Sequence, residues 1–212
     1  MSDGPPVAHI ERPNSNGRQL TELLGVMWHH TGPGTGDWLN EYIARNPRLS
    51  HGLSAHAVVH EDGRIVLTAQ HPYDVAWHAG SSRVAKLHIA RLRRSSSVKP
   101  ARTLLRIPKH RDASNKRGSM NSVTVGFEAV GDAKYTKPQY DSMIWLSATV
   151  YRQIMVNWRG RSRPRHFMIG HHEFTTRKVD PRYTHEELNL ARSRIRNEAE
   201  KPGPLWVDLW VR

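Results

Sequence analysis

Apolar residues along this chain gather in short continuous runs, broken by one long stretch with helical spacing. Leu23-Leu24-Gly25-Val26-Met27-Trp28 and Phe167-Met168-Ile169 each predict a buried strand. Val123-Thr124-Val125-Gly126-Phe127-Glu128-Ala129-Val130 predicts another. Ser54 to His60 and Arg64 to Thr68 flank Glu61-Asp62-Gly63, which predicts a hairpin. Between Lys137 and Trp158, apolar faces come from Tyr140, Met143, Ile144, Leu146, Ala148, Val150, Tyr151 and Ile154, so a long helix is expected. A second helix should run from His185 to about Glu198, capped by Thr184 and carrying Glu186 and Glu187 in its first turn. A shorter helix is expected over Asp37 to Arg45.

These elements describe one α/β domain with no internal repeat. Residues 1–20 are rich in Pro, Gly and Asn and lack periodicity, so they are expected to form an extended arm. Residues 21–200 should form the domain. Pro202-Gly203-Pro204 stops the last helix, and the apolar tail, within residues 201–212, is expected to pack back on the core.

Composition narrows the chemistry. The 212 residues contain no Cys, so a disulfide framework, a thiolate metal site and a Cys nucleophile are all excluded. Met1 to Pro6 lack the basic flank and apolar core of a signal peptide, so the expectation is cytoplasmic synthesis without an export signal. The net charge of +13 favours a polyanionic partner. Residues 83–117 concentrate that charge, with twelve Lys or Arg against the single acid Asp112. The segment could engage an anionic envelope polymer or a membrane, or be a solvated charged loop. Nucleic acid fits the charge, but no recognition motif accompanies it.

Two strands end in paired histidines, His29-His30 and His171-His172, and Asp180 follows one loop later. One imidazole from each pair plus Asp180 would give a divalent ion two nitrogens and an oxygen. One tetrahedral position would stay open, as in catalytic zinc sites. Glu128, on its own strand, is the candidate general base, and Lys178 the candidate oxyanion partner. Competing readings remain for each. The histidines could bond backbone, Asp180 could be a turn residue before Pro181, Glu128 could pair structurally, and Lys178 could be solvated.

The ordered set Met27-Trp28-His29-His30-Thr31, Ser54-Ala55-His56, Asp62-Gly63-Arg64-Ile65, Ala76-Trp77-His78-Ala79-Gly80, Val125-Gly126-Phe127-Glu128 and Gly170-His171-His172-Glu173 with Lys178 and Asp180-Pro181 resembles the type 2 N-acetylmuramoyl-L-alanine amidase family. That family includes phage lysozyme amidases, anhydromuramyl-peptide amidases and peptidoglycan recognition proteins. The resemblance spans about residues 23 to 190. It implies a mixed central sheet flanked by helices, with Zn2+ at one sheet edge held by His29, His171 and Asp180. It implies Glu128 as catalytic base, Lys178 as its catalytic partner, and Ala55, His56, Trp77 and His78 on the substrate side. For His78 a packing role beside Trp77 is an equal reading.

Glu128 matches the anhydromuramyl-peptide branch, while phage enzymes place a Tyr where this chain has Ala55. Residues 83–117 are an insertion relative to the family pattern. The implied substrate is peptidoglycan or a muropeptide, cut at the N-acetylmuramoyl–L-alanine amide. A monomeric phage-type endolysin, acting on the wall after release, is the expected setting. The alternatives are a cytosolic muropeptide-recycling amidase and a non-catalytic peptidoglycan or nucleic-acid binder.

Overall fold

The protein is described here from a computed structural model, over residues 4–14, 19–20, 22–31, 55–76, 78, 121, 123–158, 167–174 and 179–211. The expected helix at Asp37 to Arg45, Trp77, the insertion 83–117 and Lys178 lie outside the described residues.

Among the described residues, six strands form one mixed sheet: β1 (Val7–Asn14), β2 (Gly25–His30), β3 (Ala57–Val59), β4 (Ile65–Ala69), β5 (Thr124–Ala129) and β6 (Met168–Gly170). Their spatial order is β1-β4-β3-β5-β2-β6. Only the β3–β4 hairpin is antiparallel; every other neighbouring pair runs parallel. Gly63 closes that hairpin at φ 89°, a left-handed conformation in which a side chain would be strained. The segment expected to be an extended arm contributes β1 at the sheet edge. Pro13 withholds one donor from the ladder, which an edge strand tolerates.

Strand alternation sorts the sheet into two faces. Val26, Trp28, Ala57, Val59, Ile65, Leu67, Val125 and Phe127 share the main core with the long helices. Helix α1 (Lys137–Asn157) supplies Met143, Leu146 and Val150 to it. A four-residue turn of helix, α2 (His171–Phe174), follows β6 directly, and α3 (His185–Glu200) brings Leu188, Ala191 and Ile195. Both long helices begin with capping boxes, Thr136 with Gln139 and Thr184 with Glu187, which satisfy otherwise orphaned N–H groups. Among the described residues, no helix is long and apolar enough to cross a membrane.

The apolar tail returns to the core. Trp206 is fully buried against Phe127 and donates its indole N–H to the Pro72 carbonyl at 2.8 Å. Trp206→Ala is expected to cost about 3–5 kcal/mol, the usual range for a large buried aromatic, measurable by urea unfolding. A change within experimental error would mean that the tail is not part of the core.

Candidate metal centre

Trp28 decides which histidine of the first pair faces the site. Its ring is buried on the helix face, where its indole N–H donates to Ser147 Oγ on α1 at 2.8 Å. Alternation then sends Met27 and His29 to the opposite face and returns His30 to the helix side. Tyr135 OH donates to the His29 carbonyl at 2.8 Å and fixes the end of β2. His30 is half-buried, and among the described residues neither of its ring nitrogens has a hydrogen-bond partner.

The second pair separates in a different way. The chain turns from β6 into α2 at Gly170, so His171 and His172 leave the strand in different directions. The His171 ring reaches His29, with their Nδ1 atoms 2.9 Å apart. His172 instead holds the next segment: its backbone N–H donates to the Asp180 carbonyl at 2.8 Å, and its Nδ1 meets the same oxygen at 3.2 Å. Asp180 Oδ2 then lies 3.1 Å from His171 Nδ1 and 3.3 Å from His29 Nδ1.

Three donor atoms therefore form a triangle with edges of 2.9, 3.3 and 3.1 Å, and all three residues are buried. Tetrahedral zinc with ligand bonds of about 2.0–2.1 Å places its donors about 3.3 Å apart. The donor set and its spacing fit such an ion. Burial alone would disfavour a charged Asp180, but the His171 and His29 imidazoles beside its carboxylate outweigh it and hold the carboxyl well below the usual carboxylate range. The site therefore carries the negative charge a cation needs.

Glu128 is the direct register partner of His29 across the parallel β2–β5 pair. Paired residues project from the same face, so the carboxylate is buried on the face that carries the donor triangle. Beneath it, Gly126 leaves room for a ring: a Cβ there would stand 2.3 Å from His78 Cγ.

The residues expected on the substrate side are deeply placed. Ala55 is 2% exposed and His56 0%. His56 Nδ1 accepts the Gly126 N–H at 3.0 Å, and its Nε2 lies 2.6 Å from the Asp74 carbonyl. Both ring nitrogens thus serve the backbone. His78 is 1% exposed, and its two ring nitrogens reach His29 and Thr124. Burial, reinforced by the neighbouring imidazoles of His29 and His56, pushes the His78 pKa well down.

Burial also lowers the His56 pKa from 6.5 to about 4, against the favourable bond to the Asp74 carbonyl. The unfolded chain binds this proton near its ordinary pKa, whereas the folded chain resists until much lower pH. The contribution of neutral His56 is thus present in full above pH 6.5 and is lost as pH falls towards about 4. The loss should total about 3 kcal/mol. Urea midpoints measured across that interval should fall with pH, and His56→Gln should flatten the slope; an unchanged slope would contradict the assignment.

Sequence reasoning did not identify Arg192. It lies on the buried stripe of α3 with Leu188, Ala191 and Ile195, and a charge on such a stripe signals a buried partner. Arg192 Nη2 pairs with Glu173 Oε2, and its Nε donates to the Met168 carbonyl at 2.8 Å. Glu173 also accepts the Gly170 N–H at 2.9 Å and a His185 ring bond at 2.6 Å. Together these bonds clamp the β6–α2 corner from which His171 projects.

The sequence profile of the N-acetylmuramoyl-L-alanine amidase family matches residues 19–183. The chain belongs to this family and is a peptidoglycan amidase. No curated protein sequence matches it. The solved catalytic domain of XlyA is similar over 89% of this chain and 98% of its own, at 16% identity and a TM-score of 0.53. The Staphylococcus aureus hydrolase AmiA, solved with its ligand, is similar over 93% of this chain and 84% of its own, at 13% identity and a TM-score of 0.52. At these identities the likeness establishes the fold.

Proposed function

We propose that this amidase is zinc-dependent and acts as an endolysin, cutting the bond between the lactyl group of N-acetylmuramic acid and L-alanine in intact cell wall. The observation that carries the reading is the buried His29–His171–Asp180 triangle, with Glu128 in register beside it. A divalent ion held by these three residues would acidify a water and polarise the scissile carbonyl. Glu128 takes the proton of the attacking water and returns it to the departing L-alanine nitrogen. His29 ends β2, His171 opens α2, and the His172 N–H holds the Asp180 carbonyl at 2.8 Å, so the three side chains are positioned by the fold. Lys178 lies on the chain between His171 and Asp180, and we assign it to the oxyanion of the tetrahedral intermediate.

The charge of the chain favours the wall over small soluble muropeptides. Its net charge is +13, and the cations of residues 83–117 suit an anionic envelope polymer. The assay is turbidity loss of purified sacculi beside hydrolysis of a small anhydromuropeptide, with zinc-loaded and chelator-treated protein. The endolysin reading expects the zinc-loaded protein to clear sacculi, lysing the wall as a monomer, and the chelated protein to fail. Cleavage of the small muropeptide alone would instead identify a recycling enzyme.

A further inference from the structure

We propose that His78 is a positioning residue that fixes the tautomer of His29, presenting its Nδ1 lone pair to the metal. The inference rests on the metal reading of His29. Its starting point is the carbonyl of Thr124, which can only accept a hydrogen bond. It stands 3.1 Å from His78 Nε2, so that nitrogen carries the proton. A neutral imidazole has one N–H, which leaves His78 Nδ1 as an acceptor. That Nδ1 lies 3.2 Å from His29 Nε2, which must therefore donate. The remaining nitrogen of His29, Nδ1, is left with its lone pair. It is this atom that stands 2.9 Å from His171 Nδ1 and 3.3 Å from Asp180 Oδ2.

The chain of donors thus arrives independently at the nitrogen that the donor triangle requires. A backbone carbonyl sets the first proton, so the register of β5 is transmitted through two imidazoles to the metal site. The surroundings are built for this ring. His78 N–H donates to Asn121 Oδ1 at 3.2 Å, and Thr124 Oγ1 lies 3.3 Å from His78 Nε2. Gly126 provides the space, since any Cβ there would strike the ring. With 1% exposure and both nitrogens engaged, His78 supports a ligand from behind instead of touching substrate. Partners of this kind orient a ligating histidine and typically change metal affinity by about 10–100-fold when removed.

The test compares wild type, His78→Leu and His78→Asn. Leucine fills the space without an acceptor, while asparagine places an oxygen near the position of Nδ1. Zinc dissociation constants come from competition with a chromophoric chelator, and imidazole 15N shifts of the metal-free wild type report the His29 tautomer. We expect the Nε2–H tautomer of His29 in wild type. We expect zinc binding weakened by about 10–100-fold in His78→Leu, with most of the loss recovered in His78→Asn. The 15N measurement needs no variant, so it decides the matter even if a substitution prevents folding. A proton on His29 Nδ1, wild-type affinity in His78→Leu, or equal weakening in both variants would overturn the inference. If wild-type protein itself binds no zinc, it is the metal reading of His29 that fails.

Discussion

Glu128→Gln protein should retain its zinc and its fold while losing amide hydrolysis by roughly 10²–10⁴-fold, the usual contribution of a positioned acid–base group. Glutamine is nearly isosteric and keeps the buried position on β5 opposite His29. It cannot take up a proton at neutral pH. The loss should fall on kcat, because the group acts on the water and the departing nitrogen and does little for substrate binding. Metal content by atomic absorption and steady-state rates on a soluble muropeptide check both halves. A variant that hydrolyses at the wild-type rate would remove Glu128 from the chemistry.

Asp180→Asn should show the opposite division, with hydrolysis lost because the metal is lost. The carboxylate brings the only negative charge among the three donor atoms, and its oxygen faces both imidazoles at 3.1 and 3.3 Å. An amide keeps the shape but removes the charge. Structural zinc in small domains contributes about 10–16 kcal/mol across four ligands, or about 3 kcal/mol each, so zinc affinity should fall by about a hundredfold or more. Added zinc should restore chelated wild type fully, and the variant only at much higher concentration. Equal zinc affinity in variant and wild type would mean that Asp180 is not a ligand. Together the two substitutions separate proton transfer from metal binding, which no single inactive variant can do.

Some of this architecture is plain in the sequence because its physical signals are local. The β3–β4 hairpin is marked by a Gly turn, α1 by long apolar periodicity, and α3 by the Thr184 cap with acids in its first turn. β1 carries no such signal. Its stability comes from backbone pairing with β4, some sixty residues later, and a Pro within it reads as a breaker. The paired histidines show where the limit lies for the site. Sequence spacing marks both pairs, but the choice of His29 follows from Trp28 being bonded to Ser147 on α1, a contact 119 residues apart in the chain. The choice of His171 follows from the turn into α2, which aims His172 at the Asp180 carbonyl.

His78 illustrates the same limit. Beside Trp77 in the sequence it reads as a substrate contact or a packing residue. Its actual surroundings are set by Gly126 and Thr124 on β5, nearly fifty positions away, and only the fold joins them. Arg192 was obscured for a related reason. A basic residue in a charged helix looks solvated until its place on the apolar stripe of α3 is noticed.

The central claim is that this buried triangle and its neighbouring glutamate cleave the amide next to L-alanine. The most direct measurement is end-group analysis of purified peptidoglycan digested by zinc-loaded protein, with new amino termini labelled and identified. The account predicts new amino termini on L-alanine, matched by equal numbers of free muramoyl carboxyls, and neither product with chelated protein. New amino termini on any other stem residue, or new reducing sugar ends without free L-alanine amines, would contradict it.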